Sequence, residues 1–274
     1  MIDSHCHFWH LSRGDYGWLD GEGGPLQPIR RDFDLPDYPG EARLIAVQAA
    51  PSVAETEFLL SLAERAGSPI AGVVGWIDLA EDGAGETLRR LAANPAFKGV
   101  RPMLQDIAQT DWLLEEACPE ALDTLQELGL RFDALVTERH LPMLEAFAAA
   151  RPDLPLVVDH AAKPQPGARP GWEEGMAALA RLPHVRCKLS GLLTELSEAE
   201  RADPLPALQA ILERLLDWFG PERLMWGSDW PVLTLAASWQ TWRELTDRLL
   251  APLSERERRA ILHDNAAGFY GVAP

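Results

Sequence analysis

Eight short β-branched runs alternate with longer amphipathic stretches along this chain, and that alternation predicts an α/β protein built on a parallel sheet. The strand count and the 274-residue length suit a (β/α)8 TIM barrel, with its active site at the C-terminal ends of the strands. A third observation agrees. Two Pro/Gly-rich stretches without regular periodicity, His10–Pro39 and Ala161–Gly171, each follow a strand end, where long loops act as lids or binding loops. No GxGxxG follows the first strand, which weakens an open dinucleotide-binding sheet. With no linker, low-complexity tract or repeat in view, residues 1–274 read as one domain.

The strands fall at Ile2–Ser4, Leu44–Gln48, Ile70–Ile77, Phe97–Arg101, Arg131–Leu135, Leu156–Asp159, Val185–Leu189 and Leu224–Trp226. Each is a short run rich in Val, Ile, Leu or Phe, the length and composition of a buried strand. Helical periodicity of about 3.6 residues marks Ala54–Arg65, Gly85–Ala93, Glu120–Leu128, Arg139–Ala149, Trp172–Leu182, Leu205–Phe219 and Trp239–Leu250 between them.

Composition excludes several classes. Against 25 basic residues stand 42 acidic ones, a net charge of −17 with no basic block, so neither nucleic acid nor an anionic membrane surface is an expected partner. Cys6, Cys118 and Cys187 form no CxxC pair, which indicates neither a disulfide framework nor a structural zinc site. The N-terminus shows no signal-peptide pattern and no apolar run approaches a membrane span, so the expectation is a soluble, cytoplasmic protein.

Ionisable residues gather where the strands run out. His5 and His7 leave the first strand on one face, with Asp3 behind them, because strand side chains alternate. Two imidazoles so held can share a metal or a polar substrate group. Arg101 ends the fourth strand, His160 follows the sixth with Lys163 beyond it, Lys188 lies in the seventh, and Asp229 follows the eighth. Barrel closure brings such ends around one pocket. An inward cation in a barrel is there for an anion or a polarised oxygen, or for a salt bridge to a neighbouring strand. Asp229 can take a proton from water or ligate a metal with the histidines. Asp159 reads as pointing elsewhere or as bracing a neighbour, and not as catalytic. His140, after the N-cap residue Thr137, reads as structural, as do His184 and His263.

These motifs together resemble the amidohydrolase superfamily, and more closely its Amidohydrolase-2 branch of lactonases. The matching segments are Ile2–Trp9, Tyr16–Leu19, Phe97–Pro102, Val157–Pro164, Cys187–Leu192, Met225–Val232 and Asp264–Gly271. The resemblance implies hydrolysis of a sugar-acid lactone, such as L-fucono- or L-rhamnonolactone. It carries His5 and His7 over as the HxH pair, His160 as the later histidine and Asp229 as the eighth-strand aspartate. Two departures stand out: Gly99-Val100-Arg101 offers no lysine for a bridging carbamate, and Lys188 stands where a second late histidine is expected. The resemblance therefore implies one divalent ion, zinc by preference, held by His5, His7, His160 and Asp229, or none.

In the expected chemistry Asp229 accepts a proton from attacking water, and His160 with the other imidazoles or their metal polarises the carbonyl. Arg101, Lys188 and Lys163 are the expected substrate-binding cations, Arg101 by its bidentate fork. Trp9, Tyr16 and Trp18 either stack on the sugar ring or pin the long loop to the barrel. A zinc-dependent decarboxylase of an unsaturated or aromatic acid, a sugar-lactone isomerase and a non-catalytic sugar-acid binder are the alternatives. The sequence leaves homo-oligomer formation open.

Overall fold

Every β-branched run forms a strand, and each strand pairs in parallel with the next in chain order. The structure, a computed structural model, describes residues 1–273 apart from Asp20 and Glu22; those two positions of the long loop, and Pro274, lie outside it. The strands are β1 Ile2–Cys6, β2 Arg43–Val47, β3 Ile70–Gly75, β4 Phe97–Val100, β5 Arg131–Ala134, β6 Leu156–Val158, β7 Val185–Leu189 and β8 Leu224–Trp226. A parallel bridge between Cys6 and Trp230 closes the ring at the C-terminal rim, with His7 N donating to Trp230 O at 2.7 Å and Asp229 N to His5 O at 2.8 Å. The eight strands form a (β/α)8 TIM barrel.

Strand ends differ by a residue or two from the periodicity, for physical reasons. β3 stops at Gly75 because the Thr56 hydroxyl donates to Trp76 O at 3.0 Å and accepts from Trp76 N at 2.8 Å, replacing the ladder. β1 runs two residues longer than expected and carries a register shift between Asp3 and Cys6. That shift breaks strict alternation: Ile2 packs in the barrel lumen, whereas Asp3 bonds Tyr38 Oη, at 2.8 Å, on the long loop. Asp3 is thus not on the face of His5, contrary to the alternation argument.

All seven expected helices form, at Val53–Ala63, Ala84–Ala92, Pro119–Glu127, Leu141–Ala150, Pro170–Ala180, Leu205–Phe219 and Trp239–Leu250. Thr137 caps the turn before the fourth of these, and its N–H donates to His140 Nδ1 at 3.1 Å. The short helices Glu255–Arg259 and Asn265–Tyr270 are additional, too brief to show a full period in sequence. The stretch His10–Pro39 holds four 3₁₀ turns and is tied down by the Trp9–Phe33 bridge.

Two cores result. One lies between strands and helices; the other fills the lumen with Ile2, Ile45, Val47, Val74, Val157 and Met225, plugged from below by Phe269 and Tyr270. The packed lumen directs ligands to the upper rim. Among the described residues no helix is long and apolar enough to cross a membrane.

Candidate active site at the barrel rim

Two segments abandon ordinary backbone geometry to build the site. His160, Ala161, Ala162 and Lys163 have φ of 53°, 49°, 57° and 55°, and Asp229 has φ 59°. They are all the non-glycine residues with positive φ among those described. Each costs of order 1 kcal/mol or more, and such strain persists only where surrounding contacts over-determine it. The Trp172 indole N–H donates to Ala161 O at 2.6 Å and Asp229 N is held by His5 O. Gly191 completes the arrangement, since a Cβ there would sit 2.5 Å from His160 Nδ1.

The result is a convergence on one carboxylate oxygen. Asp229 Oδ1 lies 3.2 Å from His7 Nε2, 3.8 Å from His5 Nε2 and 3.9 Å from His160 Nε2. His7 Nδ1 donates to Val47 O at 2.8 Å, so its Nε2 lone pair faces the carboxylate; a proton or a metal cation between them removes that repulsion. His160 Nδ1 is 2.9 Å from Ser190 Oγ, which orients its ring.

Burial and charge set the protonation states. Burial, and then the Lys188 ammonium, hold His5 well below the ordinary imidazole range. Burial lowers His160 to about 4 even against the pull of Asp229 and Asp159. For Asp229, burial acts upward, but the attraction of His160 and the hydrogen bond with His7 override it, leaving the carboxyl below its usual range. Neutral imidazoles beside an ionised carboxylate are the donor states a divalent ion requires. One donor atom each of His5, His160 and Asp229 lies within 4.8 Å of the others, so these residues fit a zinc-like ion, with His7 against the same carboxylate.

Beneath the histidines the charges are balanced. Lys188 Nζ lies 2.5 Å from Asp133 Oδ2, 3.0 Å from Asp159 Oδ1 and 3.1 Å from His5 Nδ1. Arg101 Nη1 lies 3.7 Å from Asp159 Oδ2 and 3.3 Å from His5 Nε2, while its Nη2 donates to Gln48 O. Burial pushes Asp159 up, but Lys188 and His5 outweigh it and hold the carboxyl well below its usual range. Two carboxylates therefore meet two cations, which leaves Asp229 the anion faced by imidazoles alone.

Above this floor opens a cavity of about 240 Å³, lined by His7, Arg101, His160 and Asp229 and walled by Trp18, Met103, Gln105, Asp106 and Lys163. Of the residues singled out in sequence, these six approach the cavity: His7, Trp18, Arg101, His160, Lys163 and Asp229. Three expected substrate contacts need correction. Lys188 is fully buried below His5 and spends its N–H groups on protein acceptors, because an ammonium inside a barrel must be paired. Trp9 is fully buried, its indole N–H donating to Arg31 O at 2.8 Å, and Tyr16 packs behind it. These two aromatics pin the loop instead of facing the cavity. Trp18 does face it, anchored by an indole hydrogen bond to Ala49 O at 2.7 Å.

Other residues went unnoticed in sequence. Ser190 lies in the Cys187–Leu192 segment, and Asp133 shares with Lys188 the inward parity of its strand, a signal that alternation alone could have exposed. Gln105 and Asp106 lie in the single 3₁₀ turn Leu104–Asp106 after β4, and Met103 immediately precedes it; a turn this short shows no period in sequence. Of the two places expected for Asp159 it takes the second, lying 3.0 Å from Lys188 Nζ and 3.3 Å from His5 Nδ1.

The family model Amidohydro_2, Amidohydrolase, matches residues 2–272. The chain belongs to the amidohydrolase family. Among amidohydrolase relatives, the L-fucono-1,5-lactonase of Burkholderia ambifaria is 41% identical, the match covering 99% of this chain and 95% of that protein. The L-fucono-1,5-lactonase of Burkholderia multivorans is 39% identical, over 99% of this chain and 96% of that one. A crystal structure of a Burkholderia multivorans amidohydrolase with bound zinc superposes with a TM-score of 0.87 at 37% identity, covering 99% of both chains.

Proposed function

We propose that residues 1–274 form one catalytic domain that opens a sugar-acid lactone, an aldonolactone of the L-fucono or L-rhamnono type, by adding water to the ester carbonyl. The observation that carries this reading is the meeting of three imidazole Nε2 atoms on Asp229 Oδ1 at 3.2–3.9 Å, at the floor of a cavity also lined by Arg101. The full-length similarity to L-fucono-1,5-lactonases supports the substrate class. The cavity volume of about 240 Å³ falls just below the 300–1,000 Å³ common for drug-sized ligands and suits a monosaccharide-sized ring.

Asp229 takes the proton of a water attacking the carbonyl carbon. The hydroxyl joins that carbon, the ring C–O bond breaks, and Asp229 returns the proton to the departing oxygen, giving the open hydroxy acid. Arg101 faces the oxygen that turns anionic and stabilises it, while neutral His160 keeps its Nε2 lone pair toward Asp229 Oδ1. Trp18 offers its ring face to the sugar, and Lys163 its ammonium to a hydroxyl at the rim. A divalent ion held by His5, His160 and Asp229, with His7 beside them, supplies Lewis-acid polarisation of the carbonyl when bound. On this reading the enzyme is cytoplasmic and its partner is a small molecule.

Acid release, followed with a pH indicator across sugar-acid and carboxylated lactones, tests the assignment. Rapid opening of a few stereochemically related lactones is the expected result. Silence across the panel would sink it and point to decarboxylation or isomerisation. Repeating the assay after chelation, and again after restoring zinc, measures how much of the rate the ion supplies; a large loss that zinc restores is expected.

The pH profile makes a second test. With His160 at about 4 and Asp229 ionised at lower pH still, both groups are in their working states at neutrality. The acid limb of kcat/KM should therefore fall below about pH 4, where His160 becomes imidazolium and loses its lone pair. A limb centred near 6.5, the ordinary imidazole value, would refute the buried, neutral His160.

A further inference from the structure

The C-terminal segment Asp264–Gly271 belongs to the motif series in the sequence, yet the reaction above makes no use of it. In the fold, Asn265 Nδ2 donates to Pro221 O at 2.8 Å and Leu224 O at 2.7 Å, fastening the last helix beneath β8. From that helix Tyr270 enters the lumen, fully buried, and its hydroxyl donates to Asp133 Oδ2 at 2.8 Å. The same Asp133 oxygen receives Lys188 Nζ at 2.5 Å, and Nζ also lies 5.5 Å from the centre of the Tyr270 ring. Lys188 then reaches His5 Nδ1 at 3.1 Å. Tyr270, Asp133, Lys188 and His5 are each 0% exposed, so bulk solvent does not reach the contacts of the chain.

We propose that Tyr270, acting through Asp133 and Lys188, is a positioning residue for the His5 imidazole, so that the C-terminal helix sets the floor of the catalytic site. Physically, the phenol and the ammonium share one carboxylate oxygen. Without the hydroxyl, Asp133 rebalances toward Lys188, and Lys188 moves relative to Asp159 and His5. His5 faces Asp229 on its other side, so a displaced ring alters both the charge field around the base and the spacing of the three potential ligands. The residues that orient metal ligands from behind typically change metal affinity or activity by about 10–100-fold when removed.

The proposal rests on the lactonase reading only for its kinetic arm. Tyr270→Phe keeps the ring and deletes the one hydroxyl; Asp133→Asn keeps the shape and deletes the charge. Three quantities are measured for each: kcat and KM on an opened lactone, zinc affinity of the metal-free protein by competition with a chromogenic chelator, and the melting temperature. In each variant kcat should drop about tenfold with KM nearly unchanged, and zinc should bind about tenfold more weakly. The double variant should lose little more than either alone, since both cut the same chain. Wild-type kcat and zinc affinity in Tyr270→Phe, with only the melting temperature lowered, would overturn the proposal. So would a folded Asp133→Asn with wild-type values if Tyr270→Phe does not fold. Should the wild type open no lactone at all, the function fails while zinc affinity alone still judges this chain of contacts.

Discussion

Asp229→Asn should lower kcat by about 10²-fold or more while leaving the fold nearly untouched. Asparagine is close in shape and tolerates the left-handed conformation that Asp229 adopts with φ 59°. The backbone bond from residue 229 N to His5 O also survives the change. What disappears is the anion that three imidazoles face, and with it the carboxylate proposed as the base. An amide cannot take a proton from water at neutral pH. Acid-release kinetics and a melting curve separate the two effects: unchanged turnover with an unchanged melting temperature would remove Asp229 from the mechanism. The substitution also takes one oxygen from the candidate zinc site, so a parallel metal titration should show weaker binding.

The second large effect concerns stability. Lys188→Met keeps the length of the side chain and removes an ammonium that lies 2.5 Å from Asp133 and 3.0 Å from Asp159, all three side chains being fully buried. Breaking a buried ion pair from one side costs about 3–5 kcal/mol because the remaining charge is left uncompensated. In a chain of this size that corresponds to a fall of roughly 6–20 °C in melting temperature. The pH dependence gives a sharper check. Burial, opposed in part by Lys188, already raises Asp133 to about 6, above its unfolded value. A carboxyl raised in the folded state takes up protons on folding, so it penalises the native state above its folded pKa and ceases to do so as pH falls. Losing Lys188 raises it further. The deficit of Lys188→Met relative to wild type should therefore be larger at pH 8 than at pH 5 in thermal unfolding. An equal deficit at both would mean that Asp133 is not the group left exposed to the loss.

Glu55, on the helix Val53–Ala63, illustrates how far burial alone reaches in this fold. Burial lifts its carboxyl to about 8, although Glu55 Oε1 accepts the Ala49 N–H at 2.8 Å. Its bond to Ala49 fixes part of the cavity wall, since Ala49 lines the cavity and its carbonyl accepts the Trp18 indole. No local sequence pattern distinguishes this glutamate from the exposed Glu57 on the same helix.

How much was legible follows from what each signal encodes. Hydrophobic runs are local, so all eight strands and seven major helices could be read within a residue or two, and their alternation implies the barrel. The strand-end positions of His7, Arg101, His160 and Asp229 follow from that topology, because a closed barrel gathers its C-terminal ends. Where a residue's role depends on parity across a bulge, the local signal fails: the register shift in β1 separates Asp3 from His5. Where it depends on a choice between burial and exposure, composition is silent. Trp9, Tyr16 and Trp18 look alike in sequence, yet Trp9 and Tyr16 hold the loop and Trp18 faces the cavity.

Local chemistry, in short runs and single residues, was enough to determine the α/β alternation, the acidic composition and the strand-end histidines and aspartate from which the proposed base and its imidazoles are drawn. Partnership across distance was not. That Lys188 serves buried carboxylates and not a substrate, and that Tyr270 reaches from the end of the chain to the floor of the site, depend on residues more than fifty or a hundred positions apart meeting in the lumen. Pairing energies act through space, and only the closed barrel brings those charges together.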